Sequence, residues 1–102
     1  MIATSGVIGA MAMTGWPVAL PDRILSSAAI GDVDRDGAAD IVVGGYDQKV
    51  HGLQADGKPM AGWPVTVAGA ARSAPALADL QGNDVFVEVA IASEGQTLSV
   101  ID

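Results

Sequence analysis

The chain of 102 residues contains no cysteine, so no disulfide framework holds it, and cysteine usage leaves its redox compartment open. Aromatic residues are almost as scarce: Trp16, Tyr46, Trp63 and Phe86 are the complete set. The core must therefore be built from Val, Ile, Leu and Ala, small side chains that suit closely stacked sheets. Basic residues are few, five against 12 acidic ones, giving a formal net charge of −7. That balance argues against nucleic acid as a partner, because phosphate binding needs a cationic surface. Gly, Pro or a charge interrupts every apolar run well short of the 18 residues of a membrane helix, which excludes membrane insertion of that kind. Met1 to Val18 is uncharged and apolar, but the first basic residue is Arg23, so a secretory signal with a basic leading region is not indicated. The stretch reads as strand.

What the chain does have is apolar residues, half of the total, and 13 glycines. So much apolar surface in so short a chain is expected to face a neighbouring protein unit in part. Comparing the chain with itself reveals a repeat. Gly15-Trp16-Pro17-Val18 returns as Gly62-Trp63-Pro64-Val65, an offset of 47, and Asp32 falls on Asp79 at the same offset. After one inserted residue, Asp40 to Gly45 matches Glu88 to Ser93, and Lys49 to Leu53 matches Thr97 to Ile101. Gly6 to Gly9 looks like a partial third copy of Lys49 to Gly52. Small-residue strands over Leu25–Ile30 and Arg72–Leu77 complete the pattern.

Each unit reads as four short strands of about 5–7 residues separated by Gly, Pro and Asp turns, with no 3.6-residue apolar period long enough for a helix. Four strands in about 47 residues match a propeller blade. The expected architecture is all-β: about two four-stranded antiparallel β-propeller blades in a single repeat module over 1–102. It divides into a partial blade over 1–18, a blade around 19–65 and another around 66–102. Two blades leave a ring incomplete and two apolar faces uncovered. The missing part would come from other copies of the chain or from further blades of a longer one; of these, self-association is favoured for a stable chain.

Asp32-Val33-Asp34-Arg35-Asp36-Gly37-Ala38-Ala39-Asp40 sets acidic side chains at loop positions 1, 3, 5 and 9. A hard cation such as calcium takes six to eight oxygen ligands. A short loop supplies them from alternate side chains and a backbone carbonyl at position 7, here Ala38. Gly37 at position 6 permits the sharp turn. Four carboxylates within nine residues would otherwise repel one another. An EF-hand loop begins the same way, but it needs a Glu at position 12 and helices on both sides. Here position 12 is Val43 and the flanks read as strands.

A strand, then Asp-x-Asp-x-Asp-Gly-x-x-Asp, then a hydrophobic strand ending in Gly44-Gly45 resembles the FG-GAP/VCBS repeats of integrin-α-like β-propellers. The resemblance spans the chain and is strongest from Ala29 to Val65. It implies a calcium loop joining the first two strands of a blade, with Asp32, Asp34, Asp36 and Asp40 as side-chain ligands and the Ala38 carbonyl beside them. It also implies an extracellular or cell-surface setting. The second loop departs from the pattern, with Gln81 where the second Asp should stand. Asp79, Asn83, Asp84 and Glu88 could hold a weak ion, but a degenerate turn that has lost its metal is the better reading.

Trp16 and Trp63 could stack on a sugar, yet a Trp recurring once per unit before Pro more simply fills a contact between blades. His51, the only histidine, lacks any sign of a nucleophile or orienting partner in the sequence. Ser26, Ser27 and Ser73 carry no nucleophile-elbow pattern, and the glycines end strands rather than cradle phosphate. The sequence thus points to a non-catalytic, calcium-binding recognition or adhesion scaffold with a protein or glycan ligand. Two alternatives stay open: a carbohydrate-binding propeller lectin, and an accessory segment of a larger secreted polysaccharide-active enzyme.

Overall fold

The computed structural model describes residues 10–82 and 86–102. It contains seven strands and no helix among those residues: β1 (Ala29–Gly31), β2 (Asp40–Gly44), β3 (Lys49–Leu53), β4 (Val65–Thr66), β5 (Ala76–Ala78), β6 (Glu88–Ser93) and β7 (Thr97–Ile101). They form two antiparallel sheets, β1-β2-β3-β4 and β5-β6-β7, each a meander in chain order. β-Branched residues recur through the longer strands, Ile41-Val42-Val43 in β2, Val89 and Ile91 in β6, and Thr97, Val100 and Ile101 in β7. No helix among the described residues is long and apolar enough to cross a membrane.

The repeat is written in the register. Ala29 pairs with Val42 and Val42 with Gly52, while Ala76 pairs with Ala90 and Ala90 with Val100. Ile41 faces Leu53 as Val89 faces Ile101. The hairpin turns match as well, with Gln48 and Gln96 both left-handed, at φ 66° and 64°. Each Trp-Pro step is cis and follows a left-handed glycine, Gly15 or Gly62. In both, the Trp N–H donates to a methionine carbonyl, Met13 at 3.0 Å and Met60 at 3.1 Å.

Cross-strand partners share a face and successive residues alternate, so the register sorts every side chain. The first sheet turns Gly31, Val42, Gly44 and Val50 toward the second, which answers with Leu77, Val89, Ile91 and Ile101. Val42, Val50 and Val89 are fully buried in this layer, and Val67 and Ala71 of the connector join them. Each such buried aliphatic contributes about 1.5–3 kcal/mol by leaving water. Glycine is required where the sheets approach most closely. A Cβ on Gly44 would stand 2.7 Å from the Ala71 carbonyl oxygen and 3.0 Å from Ile91 Cδ1.

Three expectations need correction. The strands expected over Leu25–Ile30 and Arg72–Leu77 shrink to β1 and β5, three residues each. Pro75 has no N–H to offer a ladder. The segments preceding both strands instead cross to the hairpin turns, where the Tyr46 and Glu94 N–H groups donate to the Arg23 and Ala70 carbonyls. Among the described residues the second sheet has three strands rather than the four of a complete blade, with β7 at its edge. Residues 10–18, read as strand, are turn and coil, because no sheet edge among the described residues lies beside them to accept their backbone groups. Gly6 to Gly9 lies outside the described residues.

Candidate metal centre

The loop of residues 32–39 joins β1 to β2, so strands flank it on both sides, as the sequence required for rejecting an EF-hand. Asp32, Asp34, Asp36 and Asp40 converge there: one carboxylate oxygen from each lies within 4.8 Å of the others. Local chain geometry produces the convergence. Arg35 at φ 58° and Gly37 at φ 94° are both left-handed and curl the backbone round its own carboxylates. The amides of Asp36 and Gly37 donate to the two oxygens of Asp32, at 3.1 and 2.9 Å, and the Ala38 amide donates to Asp36 Oδ1 at 2.9 Å. Asp40, only 1% exposed at the start of β2, accepts the Val33 N–H at 2.9 Å.

The electrostatics of the four groups diverge. Desolvation pulls Asp32 upward, but the amides of Gly37 and Asp36 outweigh it and hold the carboxyl below its usual range. Asp34 goes the other way. Burial, followed by the negative charges of Asp40 and Asp36, pushes it up to about 6. Its Oδ1 is buried and has no hydrogen-bond partner among the described residues. A buried, unpartnered carboxylate oxygen beside three more carboxylates is costly by itself, and a cation is the group that relieves it. The donor set is wholly oxygen, which fits a hard divalent ion and not a soft one.

Ala38 lies with Asp36 and Asp40 in an open pocket whose far wall is Gln54, Ala55 and Asp56 from the β3–β4 turn. Those three are neighbours that the sequence did not single out, because the hairpin brings them in from another strand. Arg35 reaches Asp79 of the second loop, at 3.6 Å.

In the second loop, Glu88 occupies the place of Asp40 and is equally buried at 1%. It accepts the Gln81 N–H at 2.9 Å, and its Oε2 has no partner among the described residues. Asp79 Oδ1 accepts the Gly82 N–H at 2.9 Å, and the Gln81 side chain donates to Asp102 at 2.8 Å. Asn83 and Asp84 lie outside the described residues. Among the described residues, acidic groups with metal-ligand spacing occur only in the first loop.

His51 proves to have a partner after all. It is 6% exposed, and its Nε2 lies 2.9 Å from Asp47 Oδ2, while Asp47 Oδ1 accepts the Lys49 N–H at 3.2 Å. The pair braces the β2–β3 turn; the spacing i, i+4 across a hairpin carried no signal in the sequence. Trp16 donates from Nε1 to the Ala55 carbonyl at 2.8 Å, and Trp63 packs against the core. Ser73 donates to the Ala92 carbonyl at 2.8 Å. No protein-family model matches the chain, and no curated protein matches it.

Proposed function

We propose that the chain is a calcium-binding, non-catalytic β-propeller repeat module, a recognition or adhesion scaffold whose loops meet a protein or glycan ligand outside the cell. The observation that carries this reading is the convergence of four carboxylates on a loop between strands, with Asp34 Oδ1 buried and unpartnered in their midst. Calcium suits the site better than magnesium. The loop offers many oxygens in irregular geometry, and magnesium demands a regular octahedron and keeps its water. The ion is structural: it ties the β1–β2 turn and offsets the repulsion of its own ligands. Near-millimolar extracellular calcium would fill even a site in the weak range of about 10⁻⁴–10⁻³ M. The non-catalytic part of the reading is supported by the engagement of His51 with its own turn and of Ser73 with a backbone carbonyl.

Isothermal titration of calcium into the chain tests this. One bound ion per chain is expected, with binding lost in Asp34→Asn/Asp36→Asn and magnesium at least tenfold weaker. Heat of binding that is unaltered in the double variant would remove the loop from the account.

A further inference from the structure

Each sheet turns one apolar face away from the other, and these two outer faces are complementary by the repeat itself. The outer face of the second sheet carries Ala76, Ala78, Ala90, Ala92, Leu98 and Val100, with Leu98 71% and Val100 55% exposed. These are the repeat counterparts of Ala29, Gly31, Val42, Gly44, Val50 and Gly52, the face of the first sheet that is buried inside the molecule. The outer face of the first sheet carries Ile30, 70% exposed, with Ile41 partly buried and Val43 and Leu53 buried at 7% and 6%. These are the counterparts of Leu77, Val89, Ile91 and Ile101, which cover that buried face from the other side. The internal interface thus has a donor half and an acceptor half, and each recurs on an opposite end of the chain, the second-sheet half exposed at Leu98 and Val100 and the first-sheet half exposed at Ile30.

We propose that two copies of this chain dock head to tail, the outer face of the second sheet of one against the outer face of the first sheet of the next. The proposal rests on reading the two sheets as successive blades, the architectural half of the function given above.

The N-terminal segment supports this partner independently. In the internal interface the Trp63 turn leads into β4, which pairs Val65 with Val50 and Thr66 with Lys49 at the edge of the first sheet. The Trp16 turn has the same geometry, and its Val18 and Ala19 correspond to Val65 and Thr66. Their repeat partners are Leu98 and Thr97 on β7, the edge strand of the second sheet among the described residues. In a head-to-tail pair, Val18 and Ala19 of one copy reach that edge of its neighbour as a fourth strand. Both Trp turns already sit alike on the sheet that follows them. Trp63 and Met60 line a cavity of about 200 Å³ with Phe86, and Trp16 and Met13 line an open one with Ile30, Ala39 and Ile41.

The interface between copies is not an exact replica. Ala78, Ala92 and Val100 stand where Gly31, Gly44 and Gly52 allow the closest approach, so the sheets of two copies pack slightly further apart. Val43 in place of Ile91 is one methylene shorter and relieves the contact opposite Ala92. Because the contact is heterologous, it runs on until it closes into a ring or grows as a filament.

Two surface variants test the arrangement by light scattering in calcium. Leu98→Glu blocks the face of the second sheet and Ile30→Glu that of the first. Both sites are more than two-thirds exposed, so the fold survives, which circular dichroism checks. The wild type is expected to associate and each variant to be a monomer. An equimolar mixture of the two variants is expected to form a two-chain complex, since each retains the half the other lost. A monomeric wild type, a variant that keeps the wild-type mass, or a mixture that stays monomeric overturns the proposal. Calcium titration of Leu98→Glu reads the metal site separately: binding without assembly sinks only the interface, and assembly of the mixed variants without calcium binding sinks only the metal.

Discussion

Asp34 concentrates the chemistry of the first loop. Its carboxyl stays protonated up to about pH 6 in the folded chain, whereas an unfolded one ionises near 3.8. Between those values the unfolded state holds fewer protons than the folded state. Without calcium, stability should therefore fall as pH rises through about 4 to 6 and level off above. Calcium displaces that proton, so the rise in Tm on adding calcium should be larger at pH 7.5 than at pH 5, which thermal scans at the two values would check; equal rises would contradict it. Asp34→Asn removes both the charge and the repulsion. It should weaken calcium binding by about tenfold or more, about 1.4 kcal/mol, while leaving Tm in EDTA unchanged or raised. The four aspartates were legible in the sequence because loop ligands are local, set by spacing along one turn. Gln54 and Asp56 were not, nor was the Asp47–His51 brace, because a hairpin rather than a motif brings them in.

Strands show where packing overrides pattern. The short apolar runs of β2, β3, β6 and β7, repeated at a fixed offset and bounded by turn residues, made those four readable. β1 and β5 were overread: small apolar residues run on past the point where a partner strand is present. The glycines of the first sheet distinguish between two kinds of close approach. Gly44→Ala would drive its Cβ into the Ala71 carbonyl, a backbone atom that cannot swing aside, and should cost about 1–3 kcal/mol. Gly31→Ala meets only the end of the Leu77 side chain at 2.9 Å, so its cost should stay below about 1 kcal/mol. Urea denaturation of the pair would read the difference, and equal losses would mean that the sheets slide apart more readily than their packing implies. Ile91→Ala, which empties a site 1% exposed in the layer between the sheets, should cost about 2–5 kcal/mol.

At the scale of the molecule, the core belongs to neither sheet alone. Val42 and Val50 come from one, Val89 and Ile91 from the other, and Val67 and Ala71 from the connector. Unfolding should therefore be a single transition, with tryptophan fluorescence and far-ultraviolet circular dichroism coinciding; separate midpoints would mean that the sheets melt independently. The repeat announced two similar sheets in the sequence, and their identical register fits it.

The connector between the sheets has a bearing on how the chain meets proteases. The Val67 and Ala71 amides donate to the Gln48 and Gly45 carbonyls, the Ala70 carbonyl accepts from Glu94, and that of Ala68 accepts from Ser93. A segment held at both hairpin turns cannot adopt the extended form that a protease active site requires. Among the described residues the matching stretch ahead of β1 has one backbone bond to a hairpin turn, from the Tyr46 N–H to the Arg23 carbonyl, and Ile24 stands 47% exposed where Ala71 is buried. Trypsin should therefore cut after Arg23 well before Arg72, and what reads as a linker between two units should be the last place the chain is severed.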